Sequence, residues 1–208
     1  MNGTAHLTIG AGTGFIVANT IQTSPSTTLL LVGLGAVSGL FPDLDVDGKL
    51  RNKITLSHKV IQTVAQLIGV LMIFYSLYQG KAEEKWLGFG IGLGMITLSS
   101  LIKQRHMLTI TGIGVLAVGI SLQELWLILL GIYILIASFT PHRSYTHSIL
   151  GVIFFGFIAN KFEISIGING VFYTCLSGYI SHLIADMKLL PFNKRGVKLF
   201  LPVSSMEI

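Results

Sequence analysis

Eight runs of apolar residues separated by short polar stretches organise this chain, at 5–21, 28–41, 60–79, 86–102, 107–121, 124–140, 147–160 and 167–186. Within each run the apolar residues follow one another without the strict alternation of a barrel strand, so the pattern predicts helices. A helix that crosses a bilayer needs about 20 residues, with a range of roughly 17 to 25. Runs of about 14 or 15, such as 28–41 and 107–121, are short for that, and are expected to be re-entrant or to begin inside the polar loops. The expected fold is all-α, a polytopic transmembrane bundle of about eight helices (six to eight), forming a single integral membrane domain over 1–208. The first run lacks the charged leader and cleavage site of a signal peptide, so it is expected to be a retained first helix.

Composition moves the reading in the same direction. Of 208 residues, 51% are hydrophobic and 11% charged, against roughly 25% charged in soluble domains, and the mean hydropathy is +0.74. The 24 glycines suit close helix packing in a membrane, and pairs such as Gly88/Gly92 and Gly90/Gly94 read as packing positions. The stretch "GAGTG" at Gly10–Gly14 has no preceding strand and no following Lys-Ser/Thr, which excludes a phosphate loop. One cysteine, Cys175, excludes an internal disulfide.

Charge adds orientation. With eight spans, all of the 14 Lys and Arg residues except Lys81, Lys85 and Lys161 fall on the side shared by the N-terminus, the 43–59 loop and the C-terminal tail. That asymmetry predicts a cell (inner) membrane protein with both termini in the cytoplasm. The net charge of +5 is accounted for by anionic headgroups, so no nucleic-acid partner is expected. The same alternation puts every Asp and His near that one face: His6, Asp43, Asp45, Asp47, His58, His106, His142, His147, His182 and Asp186. Imidazoles and carboxylates beside hydrocarbon are costly unless they pair or bind metal.

Three stretches carry the chemistry. "FPDLDVD" ends the second run at Pro42 and presents Asp43, Asp45 and Asp47 at alternate positions, a compact set of hard oxygen ligands if extended. "SHLIAD" spaces His182 and Asp186 by four, on one helix face. "PHRSYTHS" places His142 and Arg143 in a tight connection and Thr146-His147-Ser148 at the start of the next helix. Ser144 or Thr146 is expected to cap that helix, whose N–H groups would attract an anion, and Arg143 adds a planar fork suited to phosphate or carboxylate. His6, His58 and His106 are weaker candidates, each compatible with an ordinary interfacial histidine.

In order and spacing, "HLTIG", Pro-Asp-x-Asp, "HRSYTHS", "GYISHLIAD" and "GVKLFLP" resemble the membrane-bound metal-dependent hydrolase family, which includes an SOS-repressor-regulated inner-membrane type. The resemblance implies that His6, Asp43, Asp45, His142, His147, His182 and Asp186 occupy metal-site positions. Arg143, Gly178, Gly196 and Pro202 match further motif positions. "HRSYTHS" departs from the family by carrying Ser-Tyr where glycine and an apolar residue are common, and Asp47 is an additional acid.

The residues themselves suit that chemistry. A mixed His/Asp set without cysteine fits an open site with one or two divalent ions, Zn or Mn among those that tolerate these ligands. The expected activity is metal-dependent hydrolysis of a phosphoester, a membrane lipid's phosphate or headgroup, at the cytoplasmic leaflet. Arg143 would stabilise developing charge, and Asp47 or Asp186 would act as base. A metal-ion or small-solute transporter is the alternative, though transport favours ionisable residues near the bilayer midplane; a metal-stabilised scaffold is a third.

Overall fold

The first helix, α1 (Gly3–Thr20), buries His6, Gly10, Gly14 and Ala18, four residues apart each time, so a single stripe one turn apart faces the protein. In this computed structural model residues 3–44, 58–79, 81–101, 104–141, 144–188 and 196–208 are described. Among them are eight α-helices and two short 3₁₀ turns, and no strand. The chain divides into two compact units, Met1–Arg51 with Thr109–Ile208, and Asn52–Leu108.

The first unit contains α1, α2 (Pro25–Ser38), the last part of α5 (Gln104–Leu122), α6 (Leu125–Phe139), α7 (Ile149–Ile166) and α8 (Val171–Asp186). Local chemistry starts α2: Pro25 occupies the first turn and the Ser24 hydroxyl accepts from Thr27 N–H. The helix ends at Ser38, not at the expected Phe41, because Phe41–Leu44 tightens into a 3₁₀ turn carrying Pro42 and Asp43. Gly167, left-handed at φ 66°, ends α7 with its N–H on Glu163 O.

Glycine decides how these helices meet. A Cβ on Gly10 would collide with the Gly35 carbonyl, and one on Gly35 with the Gly10 carbonyl. A Cβ on Gly178 would reach Gly35 O and Gly39 N. So α1, α2 and α8 press backbone to backbone, the packing that small residues permit where lipid supplies no hydrophobic drive. Around this contact lies an apolar core that includes Leu31, Tyr133, Phe155, Val171 and Tyr179. In the second unit, α3 (His58–Gln79) and α4 (Ala82–Ser100) form a hairpin with Gly69 against Gly92, and Ser76 Oγ donates to Lys85 O at 2.7 Å.

Among the described residues two helical stretches can cross a bilayer by length and composition, Lys59–Tyr78 and Ile149–Ile166; Pro25–Ser38, His106–Leu122 and Leu125–Phe139 are apolar but shorter. Leu29, Phe139 and Ile164 in one unit, and Leu71, Phe74 and Trp86 in the other, stand exposed. Apolar surface of this extent belongs against another apolar phase.

Candidate metal centre

Four helix ends of the first unit converge because α1 with α2 and α7 with α8 each run out and back. The start of α1 brings His6, the turn after α2 brings Asp43, the 3₁₀ turn Tyr145–His147 brings His147, and the end of α8 brings His182 and Asp186. His6, His147, His182 and Asp186 are buried, while Asp43 keeps 17% of its side chain exposed and forms the open edge.

The donor atoms face one another. His182 Nε2 lies 3.2 Å from His147 Nε2, 3.6 Å from Asp43 Oδ1 and 3.8 Å from Asp186 Oδ2. His147 Nε2 is 3.8 Å from the same Asp43 oxygen, and His6 Nε2 is 3.2 Å from Asp186 Oδ1. The His6 and His182 rings stack at 3.9 Å between centroids. Ligands about 2.1 Å from a tetrahedral metal stand about 3.4 Å apart, so these separations lie within a few tenths of an ångström of a coordination shell. Two overlapping trios, His6/Asp43/His182 and His147/His182/Asp186, bring ligand atoms within 4.8 Å of one another.

The surrounding backbone sets which nitrogen faces inward. His182 Nδ1 is 2.8 Å from the Gly39 carbonyl, which can only accept, so that nitrogen carries the proton and donates. A neutral His182 therefore turns the Nε2 lone pair toward His147 and both carboxylates. Gly39 itself is pressed against α1, since a Cβ there would meet His6 O. Thr146 Oγ1 lies 3.1 Å from His147 Nδ1. The Tyr179 hydroxyl donates to Thr146 O and sits 3.0 Å from Tyr133 Oη. Since the Tyr179 proton goes to Thr146, Tyr133 donates to Tyr179. Buried lone pairs converging in this way demand positive charge among them, and shared protons or a divalent metal meet that demand. His6 Nδ1, buried with no hydrogen-bond partner, adds one more polar atom for which a ligand-free cluster gives no account. The donor set fits a metal.

Of the metal positions implied by the motifs, the structure brings together His6, Asp43, His147, His182 and Asp186. Asp45, His142, and the proposed catalytic residues Asp47 and Arg143, lie outside the described residues. His58 and His106 belong to the second unit. The expected helix start is corrected. Neither Ser144 nor Thr146 caps α7; Ser148 does, its hydroxyl accepting from Gly151 N–H at 3.3 Å, while the Thr146 hydroxyl sits at His147. Of the first N–H groups of α7, that of Ile149 is taken by Leu199 O at 2.9 Å. In the C-terminal stretch Val197 is fully buried and exchanges backbone hydrogen bonds with Ile208. Gly39, Thr146, Tyr133 and Tyr179 went unassigned in the sequence as orienting partners. Only Tyr179, three residues before His182 on the same helix, carried a spacing that hinted at it.

The chain belongs to the YdjM inner membrane protein family, whose model matches residues 1–208. That description names a location and no chemistry. No curated protein and no solved structure shows a significant match.

Proposed function

We propose that this inner membrane protein is a polytopic, metal-dependent hydrolase that cleaves a phosphoester of a membrane lipid at the cytoplasmic leaflet, with both termini in the cytoplasm. The observation that carries the proposal is the convergence of three imidazoles and two carboxylates, four of the five buried, with the protonated Nδ1 of His182 held by Gly39 O. A purely structural salt bridge needs one pair, and a closed structural zinc site needs four ligands with nothing left at an open edge. Here Asp43 stands at that edge.

His6, Asp43, His147, His182 and Asp186 would hold one or two ions, Zn²⁺ or Mn²⁺ among those these ligands suit. When bound, a divalent metal supplies Lewis acidity and offsets negative charge. The protein's own groups do the rest. Thr146 and Gly39 orient His147 and His182. Asp186, where its carboxylate is left off the metal, takes a proton from the attacking water; Asp47 is the alternative base. The water oxygen bonds phosphorus, the ester P–O bond breaks, and the leaving oxygen takes the proton. Arg143, four residues before His147 in sequence, stabilises the added negative charge.

The direct trial is purified protein in detergent with total lipid extract, read by mass spectrometry with metal, after chelation, and after Zn²⁺ or Mn²⁺ is restored. Turnover that follows the metal supports hydrolysis, and Arg143→Ala should lower it with metal content unchanged. Metal flux into proteoliposomes without turnover on any lipid or phosphoester would replace this reading with a transporter.

A further inference from the structure

Beside the cluster, α6, the Tyr145–His147 turn and α7 enclose a cavity of about 330 Å³. Its inner wall is Tyr133 and Thr146, both buried. Its mouth is Ile136, Leu150, Ile153 and Phe157, each about half exposed. The lining is apolar almost throughout, and the polar atoms of its inner wall are engaged. Tyr133 bonds Tyr179, Thr146 O accepts from Tyr179, and Thr146 Oγ1 lies against His147 Nδ1.

We propose that this cavity binds one hydrocarbon chain of a membrane lipid, seated so that the lipid's polar end meets the His/Asp cluster; the second half of the statement rests on the proposed function. A polar occupant would forfeit its hydrogen bonds to water and find apolar walls in exchange. Hydrocarbon loses nothing there. The volume lies at the small end of ligand pockets, which run from about 300 to 1,000 Å³, enough for part of one chain and too little for a whole two-chain lipid. The mouth opens between α6 and α7, and α7 is one of the two stretches long and apolar enough to cross a bilayer, so a chain enters sideways from the hydrocarbon phase. The inner wall ties the chain site to the cluster. Thr146 lines the cavity and holds His147, its neighbour in the chain. Gly151 allows this closeness, because a Cβ there would meet Tyr145 O, the Tyr179 hydroxyl and Thr146 O. A lipid whose chain fills the cavity is held next to the turn that carries His147, which favours it over a freely soluble phosphoester as substrate.

The test uses full-length protein in phosphatidylethanolamine/phosphatidylglycerol vesicles doped with a phosphatidylcholine that carries a diazirine on one acyl chain. After photolysis, labelling is mapped by peptide mass spectrometry. Segment 145–157 should label several-fold more strongly than 59–78, an exposed apolar segment that reports ordinary contact with lipid. Ile153→Trp and, separately, Leu150→Trp should bring labelling of 145–157 down to the level of 59–78 while metal per chain stays unchanged, which also shows that each variant is folded. Equal labelling of the two segments in the unmodified protein overturns the proposal, and so does labelling indifferent to both tryptophans. The outcome does not depend on turnover. Strong labelling of 145–157 in a protein that hydrolyses nothing refutes the hydrolase and retains the chain site. Metal-dependent cleavage of a soluble phosphoester at the same rate in both tryptophan variants, with no preferential labelling, does the reverse.

Discussion

The two units solve the same packing problem with the same device and end with different chemistry. In the α3–α4 hairpin, Gly69 and Gly92 let two backbones touch, and the polar group buried nearby, Ser76, is satisfied at once by the Lys85 carbonyl. In the larger unit Gly10, Gly35 and Gly178 bring three backbones together, and the helix ends beyond them carry His6, His182 and Asp186 into burial. A glycine contact is therefore a structural device in both places. What separates the two is the ionisable cargo at the helix ends, and burying that cargo costs free energy unless it is paired or ligated.

The most damaging test of this contrast is a bulky residue at the shared device. Gly35→Val places its side chain against Gly10 and Gly14 backbone atoms, which cannot rotate away. It should destabilise the larger unit by about 3 kcal/mol or more, seen as early loss of helical circular dichroism on heating in detergent, together with loss of bound metal. Gly69→Val meets Gly92 O and the side chains of Met95 and Ile96; it should disturb the hairpin yet leave metal per chain intact. Metal loss in both variants would erase the distinction between the units.

Next in size is removal of one ligand. His182→Ala takes away the imidazole that lies within 3.8 Å of His147, Asp43 and Asp186 alike, and should weaken metal binding by more than the roughly 10- to 100-fold that loss of an orienting partner costs. His106→Ala, in the other unit, should leave affinity within error by competition with a zinc dye. Because His and Asp must be deprotonated to bind, affinity in the unmodified protein should fall as pH drops.

Smaller again is Tyr179→Phe. It deletes the donor to Thr146 O and the acceptor for Tyr133, leaving buried polar atoms short of partners at about 1–3 kcal/mol. Through Thr146 and His147 it should also weaken metal binding, by less than His182→Ala does; unchanged affinity would remove Tyr179 from the orienting set. The smallest effect belongs to Ser76→Ala. Losing its hydrogen bond to Lys85 O should cost the hairpin about 1 kcal/mol and leave metal binding untouched, measured by the same heating and dye titrations.

Much of the helix plan was written along the chain. Eight apolar runs correspond to eight helices among the described residues, because a continuous apolar run bounded by polar stretches has one low-energy way to satisfy its backbone in an apolar phase. Alternation of those runs placed His6, Asp43, His147, His182 and Asp186 at one side, since each short loop reverses direction. The ends of the elements were less legible. The short 28–41 run was read as one segment, yet the α-helix ends at Ser38: Gly39, its N–H still on Gly35 O, gives its carbonyl to His182, and Asp43 N–H donates to Leu40 O in the 3₁₀ turn that follows.

What the sequence determined by itself is the periodic and compositional part: helices, the use of glycine for close packing, and which ionisable groups share a side. Those follow from local spacing, which any stretch of chain reports about itself. Tertiary structure alone decided the division into two units, the Ser148 cap in place of Ser144 or Thr146, and the hydrogen bond from Ile149 N–H to Leu199 O. It alone also decided that Gly39 and Thr146 orient the two central imidazoles. Each of these depends on a partner brought close by folding, from as far as 143 positions away in the case of Gly39 and His182. Hydrogen-bond partners over such separations follow from how helices pack, and no local pattern encodes them.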